Sequence, residues 1–155
     1  MSQHSPIDSL QINPETAAKC VVGIVTATWN ETITGLLKQG AIETLNTQGV
    51  TNDRIRTLEV PGSFELPLGA QQLAQLPEID AVIALGCVIR GDTPHFDYVC
   101  QAATNGILQV GLKFNKPVIF GVITVNNEKQ AFDRAGGALG NKGSEGALTA
   151  LQMLR

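Results

Sequence analysis

The residues best suited to chemistry in this chain crowd into positions 84–99. His95, one of two histidines, follows Thr93-Pro94, a helix-start signal in which a hydroxyl residue caps and a proline opens the first turn. The free backbone N–H groups of such a start can hold an anion. An imidazole beside them can accept and return a proton near neutral pH, or merely make local hydrogen bonds. Just upstream, Gly86-Cys87-Val88-Ile89-Arg90-Gly91-Asp92-Thr93 approaches the phosphate-loop pattern G-x-x-x-x-G-K-[ST]. Asp92 stands where the lysine should reach the phosphates and would repel them, which disfavours nucleotide triphosphate hydrolysis. No G-x-G-x-x-G occurs, so dinucleotide binding lacks its fingerprint.

Other residues offer paired readings. Arg134 could anchor an anion with its planar fork or be a surface charge, and Lys142, between glycines, faces the same choice. Glu65 could accept hydrogen bonds from a polar heterocycle or complement a helix dipole. Trp29 and Phe120 could present flat faces to a ring or pack in the core.

These residues must be placed by regular elements. Residues 19–29 are apolar and β-branched almost throughout, as in a strand covered on both faces. Asn30 is expected to cap the helix that follows, whose Ile33, Leu36, Leu37, Ala41 and Leu45 recur at helical spacing until Gly49. A more one-sided strand spans 54–60, broken by Pro61-Gly62-Ser63, with a helix over 64–76. Strand 80–89, helix 95–114 and strand 118–125 follow. Asn127 should cap another helix, with Gln130 at the capping-box position, ending at Gly136-Gly137. After a glycine-rich connection the last helix spans 144–154. Alternating strands and helices predict a three-layer α/β/α sandwich around a four-stranded parallel sheet of flavodoxin-like type. In such folds ligands bind beyond the carboxyl ends of the strands, where Trp29-Asn30, Ser63-Phe64-Glu65, 90–95 and 125–127 would converge.

The whole chain, 155 residues with 43% hydrophobic content, suits a single domain over 19–155, preceded by an arm over 1–18. Ile7, Leu10 and Ile12 in that arm could add a strand to a neighbouring subunit. A formal net charge of -3 provides no basic field for nucleic acid or an anionic membrane. The longest apolar runs fall far below the roughly 20 residues of a membrane helix. Cys20, Cys87 and Cys100 are an odd set without C-x-x-C spacing, which fits reduced thiols. With no basic-then-apolar start at residues 1–6, a cytoplasmic location is expected.

Three segments together resemble the lumazine synthase family: 61–67, 86–99, and 124–143 with Asn126-Asn127-Glu128, Asp133-Arg134-Ala135-Gly136 and Gly140-Asn141-Lys142-Gly143. The resemblance runs from Val21 to about Met153. It implies a transferase of riboflavin biosynthesis that condenses 5-amino-6-(D-ribitylamino)uracil with 3,4-dihydroxy-2-butanone 4-phosphate to 6,7-dimethyl-8-ribityllumazine, using no cofactor and no metal. Under it, Trp29 stacks on the pyrimidine, where many members carry Phe, and Asn30 joins the same subsite. Ser63, Phe64 and Glu65 bind the ribityl and polar edges, and Cys87, Val88 and Ile89 line the ring. Asp92 and Thr93 hold the phosphate with Arg134, and His95 transfers protons. Phe120, Arg134 and Lys142 would come from the adjacent subunit of a homopentamer. Decamers or icosahedral capsids stay open, as does riboflavin synthase as a partner. A non-catalytic flavodoxin-like binding module and a purely structural shell-former are the competing readings.

Overall fold

The computed structural model describes residues 11–154. Four parallel strands, β1 (Val22–Ala27), β2 (Ile55–Val60), β3 (Ala81–Ile89) and β4 (Val118–Val125), form one sheet in the order β2-β1-β3-β4. Register runs without a bulge, Val22 against Ile55 and Ala81, and Val82 against Val118. All four carboxyl ends therefore open on one edge. β1 is buried at every position, as its uninterrupted apolar run predicts. β2, at the sheet's rim, is only partly buried, matching its alternating sequence.

Successive side chains of a strand point to opposite faces, and two apolar cores result. On one face Val22, Ile24, Ile83 and Leu85 pack with Ile33, Leu37 and Leu45 of α2 (Glu31–Gln48) and with Ala147 and Leu151. On the other, Val25, Val82, Ala84 and Val122 meet Leu66, Ala70 and Leu73, together with Ile107 and Val110. The latter belong to α3 (Leu66–Ala74) and α4 (His95–Phe114). Each fully buried Leu or Ile contributes about 1.5–3 kcal/mol, so these faces, rather than helix propensity, hold the layers together. The three-layer sandwich is as expected.

α5 (Glu128–Asp133) and α6 (Lys142–Met153) lie on the α2 face, through Ala131 and Ala147. Between them the glycine-rich connection is a small antiparallel hairpin, β5 (Ala135–Gly137) and β6 (Gly140–Asn141). Its composition had marked only a loop. Positive φ at Gly136 (108°) and Gly140 (84°) lets the chain reverse within it.

Residues 1–10, with Ile7 and Leu10, lie outside the described residues. The rest of the expected arm is not free: α1 (Pro14–Ala17) is a single turn capped by Asn13 with Ala17 fully buried. Arg54 ties it down, donating from Nη1 to the carbonyls of Ala17 and Cys20, both at 2.8 Å, and from Nη2 to Gly49 at 2.7 Å. The bonds to Ala17 and Cys20 join residues more than thirty positions apart and left no local pattern to read.

Candidate active site

The first βα turn continues the β1–β2 ladder past the strands: Thr28 and Trp29 donate their N–H groups to the carbonyls of Val60 and Pro61. Trp29 is thereby held at the rim with 67% of its surface exposed. Asn30 differs from its expected role. Its backbone is left-handed, φ 63°, and its side chain caps nothing. Instead Nδ2 donates to the carbonyl of Cys87 at 2.9 Å, tying the first turn to the end of β3. Asparagine is among the residues that tolerate this conformation, and the tie uses an amide that capping would have consumed.

The second turn is a single 3-10 turn, Ser63–Glu65, running into α3, so the expected helix over 64–76 is shorter and begins with a tighter turn. Pro67, at the second position of α3, suits that entry. Glu65 accepts from the Gly62 N–H at 3.0 Å through Oε2, while its own N–H donates back to the Gly62 carbonyl. One carboxylate oxygen is thus spent on the turn. Phe64 is largely exposed, whereas Ser63 is buried. The Ser63 hydroxyl has no hydrogen-bond partner among the described residues, and a methyl group on Gly86 would sit 2.6 Å from it. A buried unpartnered hydroxyl is costly.

At the third turn Cys87 is buried while Val88 and Ile89 are half-buried. Desolvation pushes the Cys87 thiol up to about 11. At pH 8 only about one molecule in a thousand then carries the reactive thiolate. Iodoacetamide at that pH is therefore expected to spare Cys87 and leave activity intact; mass spectrometry of the alkylated chain checks this, and rapid labelling of Cys87 would contradict it.

Asp92, Thr93 and His95 are all exposed. α4 starts at His95 as expected, but Pro94 rather than Thr93 takes the cap position. Thr93 still contributes, its hydroxyl accepting the His95 N–H at 3.4 Å.

Arg90, which the sequence had not singled out, braces this edge. Its Nε donates to Asn126 Oδ1 at 3.0 Å, its guanidinium stacks 4.4 Å from the Phe96 ring centre, and Asp97 lies 3.9 Å away. An arginine just past a strand end was the only available signal. In the fourth turn Asn127 caps α5 as expected, accepting from Gln130 N–H at 2.9 Å. Gln130 reaches back one residue further than a capping box, to the Asn126 N–H.

One chain thus gathers Trp29, Asn30, Ser63, Phe64, Glu65, Cys87, Val88, Ile89, Asp92, Thr93 and His95 on a single edge. It does not gather the rest. Phe120 pairs with Ala84, five residues before β4 ends at Val125, about 16 Å back from that edge at 3.3 Å per residue. It is exposed on the outermost strand. Arg134 ends α5 and Lys142 begins α6, on the sheet face opposite α4. Arg134 donates from Nη1 to the Gln130 carbonyl at 2.9 Å, and Lys142 pairs with Glu145 at 2.7 Å. Among the described residues, no cluster of three or more His, Cys, Asp or Glu side chains could hold a metal. No helix there is long and apolar enough to cross a membrane.

Comparison with known proteins gives one answer. The family model described as 6,7-dimethyl-8-ribityllumazine synthase matches residues 19–155. A protein of that name from Cytophaga hutchinsonii is 60% identical over 134 residues, covering 86% of this chain and 84% of its own. The like-named protein of Parabacteroides distasonis is 52% identical over 138 residues, covering 89% and 86%. That of Thermus thermophilus is 48% identical over 145 residues, covering 93% and 92%. With the family model spanning nearly all of the folded body, and relatives at this identity over matching lengths, the chain belongs to the 6,7-dimethyl-8-ribityllumazine synthase family.

Proposed function

We propose that this chain condenses 5-amino-6-(D-ribitylamino)uracil with 3,4-dihydroxy-2-butanone 4-phosphate to 6,7-dimethyl-8-ribityllumazine, releasing phosphate and water. The observation that carries the reading is the convergence, on one sheet edge, of an exposed aromatic face, an unpartnered buried hydroxyl and a helix-start histidine. Trp29 stacks on the pyrimidine beside Asn30, and Cys87, Val88 and Ile89 line the ring's edge. Ser63 and the free oxygen of Glu65 accept or donate to the ribityl chain, with Phe64 covering it. The phosphate sits at Thr93 and the main chain of Asp92.

The uracil amine attacks the ketone and water leaves, giving an imine. Loss of phosphate then leaves an enol, whose tautomer closes the second ring with a further dehydration. Each step moves protons and none needs a nucleophile from the protein, so His95 serves as the proton carrier. Holding two substrates together supplies most of the rate.

Arg134, Phe120 and Lys142 reach the site from an adjacent subunit of a homo-oligomer, a pentamer or an assembly of pentamers. Supporting this are the position of Phe120 on the outer strand and the exposed apolar side chains Leu68, Leu108 and Leu112 on the α3–α4 face, which water alone would not favour.

Mixing the protein with both substrates and following lumazine absorbance and fluorescence tests the reaction; no product at any protein concentration overturns it. His95→Ala should lower kcat by no more than about a hundredfold, with KM for both substrates little changed. Complete loss with intact binding would make proton transfer, not positioning, the dominant contribution.

A further inference from the structure

We propose that Gly62 is the seat of Trp29, a positioning residue whose missing side chain sets the height and tilt of the indole over the substrate. The proposal rests on the reading of Trp29 as the stacking surface.

Gly62 is not a glycine for backbone reasons. Its φ of -123° and ψ of 177° are extended, a conformation open to any residue. What a side chain would meet first is the indole: a Cβ at position 62 would lie 2.6 Å from Trp29 Cε3 and 2.8 Å from Cζ3, with Glu65 Oε2 next at 3.2 Å. The six-membered ring of the indole therefore rests directly on the Gly62 main chain. The main chain on either side cannot give way. Trp29 N–H is bonded to the Pro61 carbonyl at 2.9 Å, and Gly62 N–H to Glu65 Oε2 at 3.0 Å. Glu65 N–H closes the turn on the Gly62 carbonyl at 3.1 Å.

The indole is the part that can move. Two-thirds exposed, it can swing into solvent and leave the core untouched. A methyl group at 62 is consequently mild for the fold and severe for the platform. A phenyl ring, narrower and without the atoms that touch Gly62, should tolerate what the indole does not.

Trp29 is the sole tryptophan of the chain, so fluorescence reports on it alone. In Gly62→Ala the emission maximum and the acrylamide accessibility of Trp29 should both change, with the thermal midpoint close to that of the parent. KM for the ribitylaminouracil substrate should rise about tenfold, the scale of losing one aromatic stack, with kcat nearly unchanged. In the Trp29→Phe background the same Gly62→Ala change should raise KM less than about threefold, a non-additivity expected only of residues in contact. Equal effects in both backgrounds, or an unmoved emission spectrum, would overturn the seat. Trp29→Ala separates the two ideas: an unchanged KM there removes the stacking role, while the emission shift of Gly62→Ala still decides whether Gly62 places the ring.

Discussion

Arg134→Ala is expected to cost on the order of a hundredfold in kcat/KM for the butanone phosphate, nearly all of it in KM, while leaving the affinity for ribitylaminouracil almost unchanged. An arginine–phosphate pair is charge-assisted and can be bidentate, and loss of such bonds costs about 3 kcal/mol. The side chain is prepared for that work. Arg134 ends α5, its N–H bonds back to the Ala131 carbonyl, and its own carbonyl accepts from Lys142 N–H at 2.9 Å. Nη1 is held on the Gln130 carbonyl, which fixes the direction of the fork and leaves Nε and Nη2 to meet an anion. Removing the side chain forfeits one bond to a helix-end carbonyl, about 1 kcal/mol, so the variant should fold. Arg134→Lys should recover only part of the loss, because an ammonium is a point charge without the fork. Steady-state kinetics with each substrate varied in turn measure the effect. Equal losses for both substrates would argue against a phosphate-specific role.

The largest effect on stability is expected at Gly143. A Cβ there would lie 1.9 Å from the carbonyl oxygen of Leu37 and 2.7 Å from its carbon, both main-chain atoms within α2. Unlike the indole beside Gly62, that obstacle cannot rotate aside, and relieving it means separating α6 from α2. The junction is further bound by Asn141, which accepts from Gly143 and Ser144 N–H groups and donates to the Leu36 carbonyl at 3.1 Å. Gly40 makes room for that amide, since a methyl on it would come within 2.6 Å of the Asn141 carboxamide carbon. Gly143→Ala should therefore destabilise by about 3 kcal/mol, lowering the thermal midpoint by about 10 °C. Gly35, exposed within α2 and with no atom within 4 Å of its would-be Cβ, is the contrast. There the identical replacement should stabilise by about 0.5–1 kcal/mol, the helix-propensity gain over glycine. Thermal melts of the two variants should move in opposite directions; a Gly143→Ala protein as stable as the parent would contradict the packing account.

Much of the fold could be read without coordinates because the signal is local. An apolar β-branched run such as 19–29 and a helical spacing such as Ile33, Leu37 and Leu45 are visible within one element. The expected bounds of α4 and β4 coincide with the observed ones. Side-chain roles failed where a side chain had a distant alternative. Asn30 stands at the cap position of α2 as its type predicts, yet its amide goes to Cys87, 57 residues away. Glycines were legible as breaks but not as clearances: Gly62, Gly86 and Gly143 are small because of Trp29, Ser63 and Leu37 respectively, neighbours that exist only after folding.

The site divides along the same line. Residue types and order alone determined the family resemblance, the parallel sheet, and the edge on which Trp29, Ser63, Glu65 and His95 meet, since every βα turn of a parallel sheet must emerge at the strands' carboxyl ends. Only the tertiary structure decided that Arg90 is a brace, that one Glu65 oxygen is already committed to its own turn, and that Lys142 is paired with Glu145. It also decided that Phe120 lies far down an outer strand and Arg134 across the sheet from α4. The reason is physical: chain periodicity specifies which face a side chain takes, whereas its partners are set by distances between segments that no short window of sequence contains.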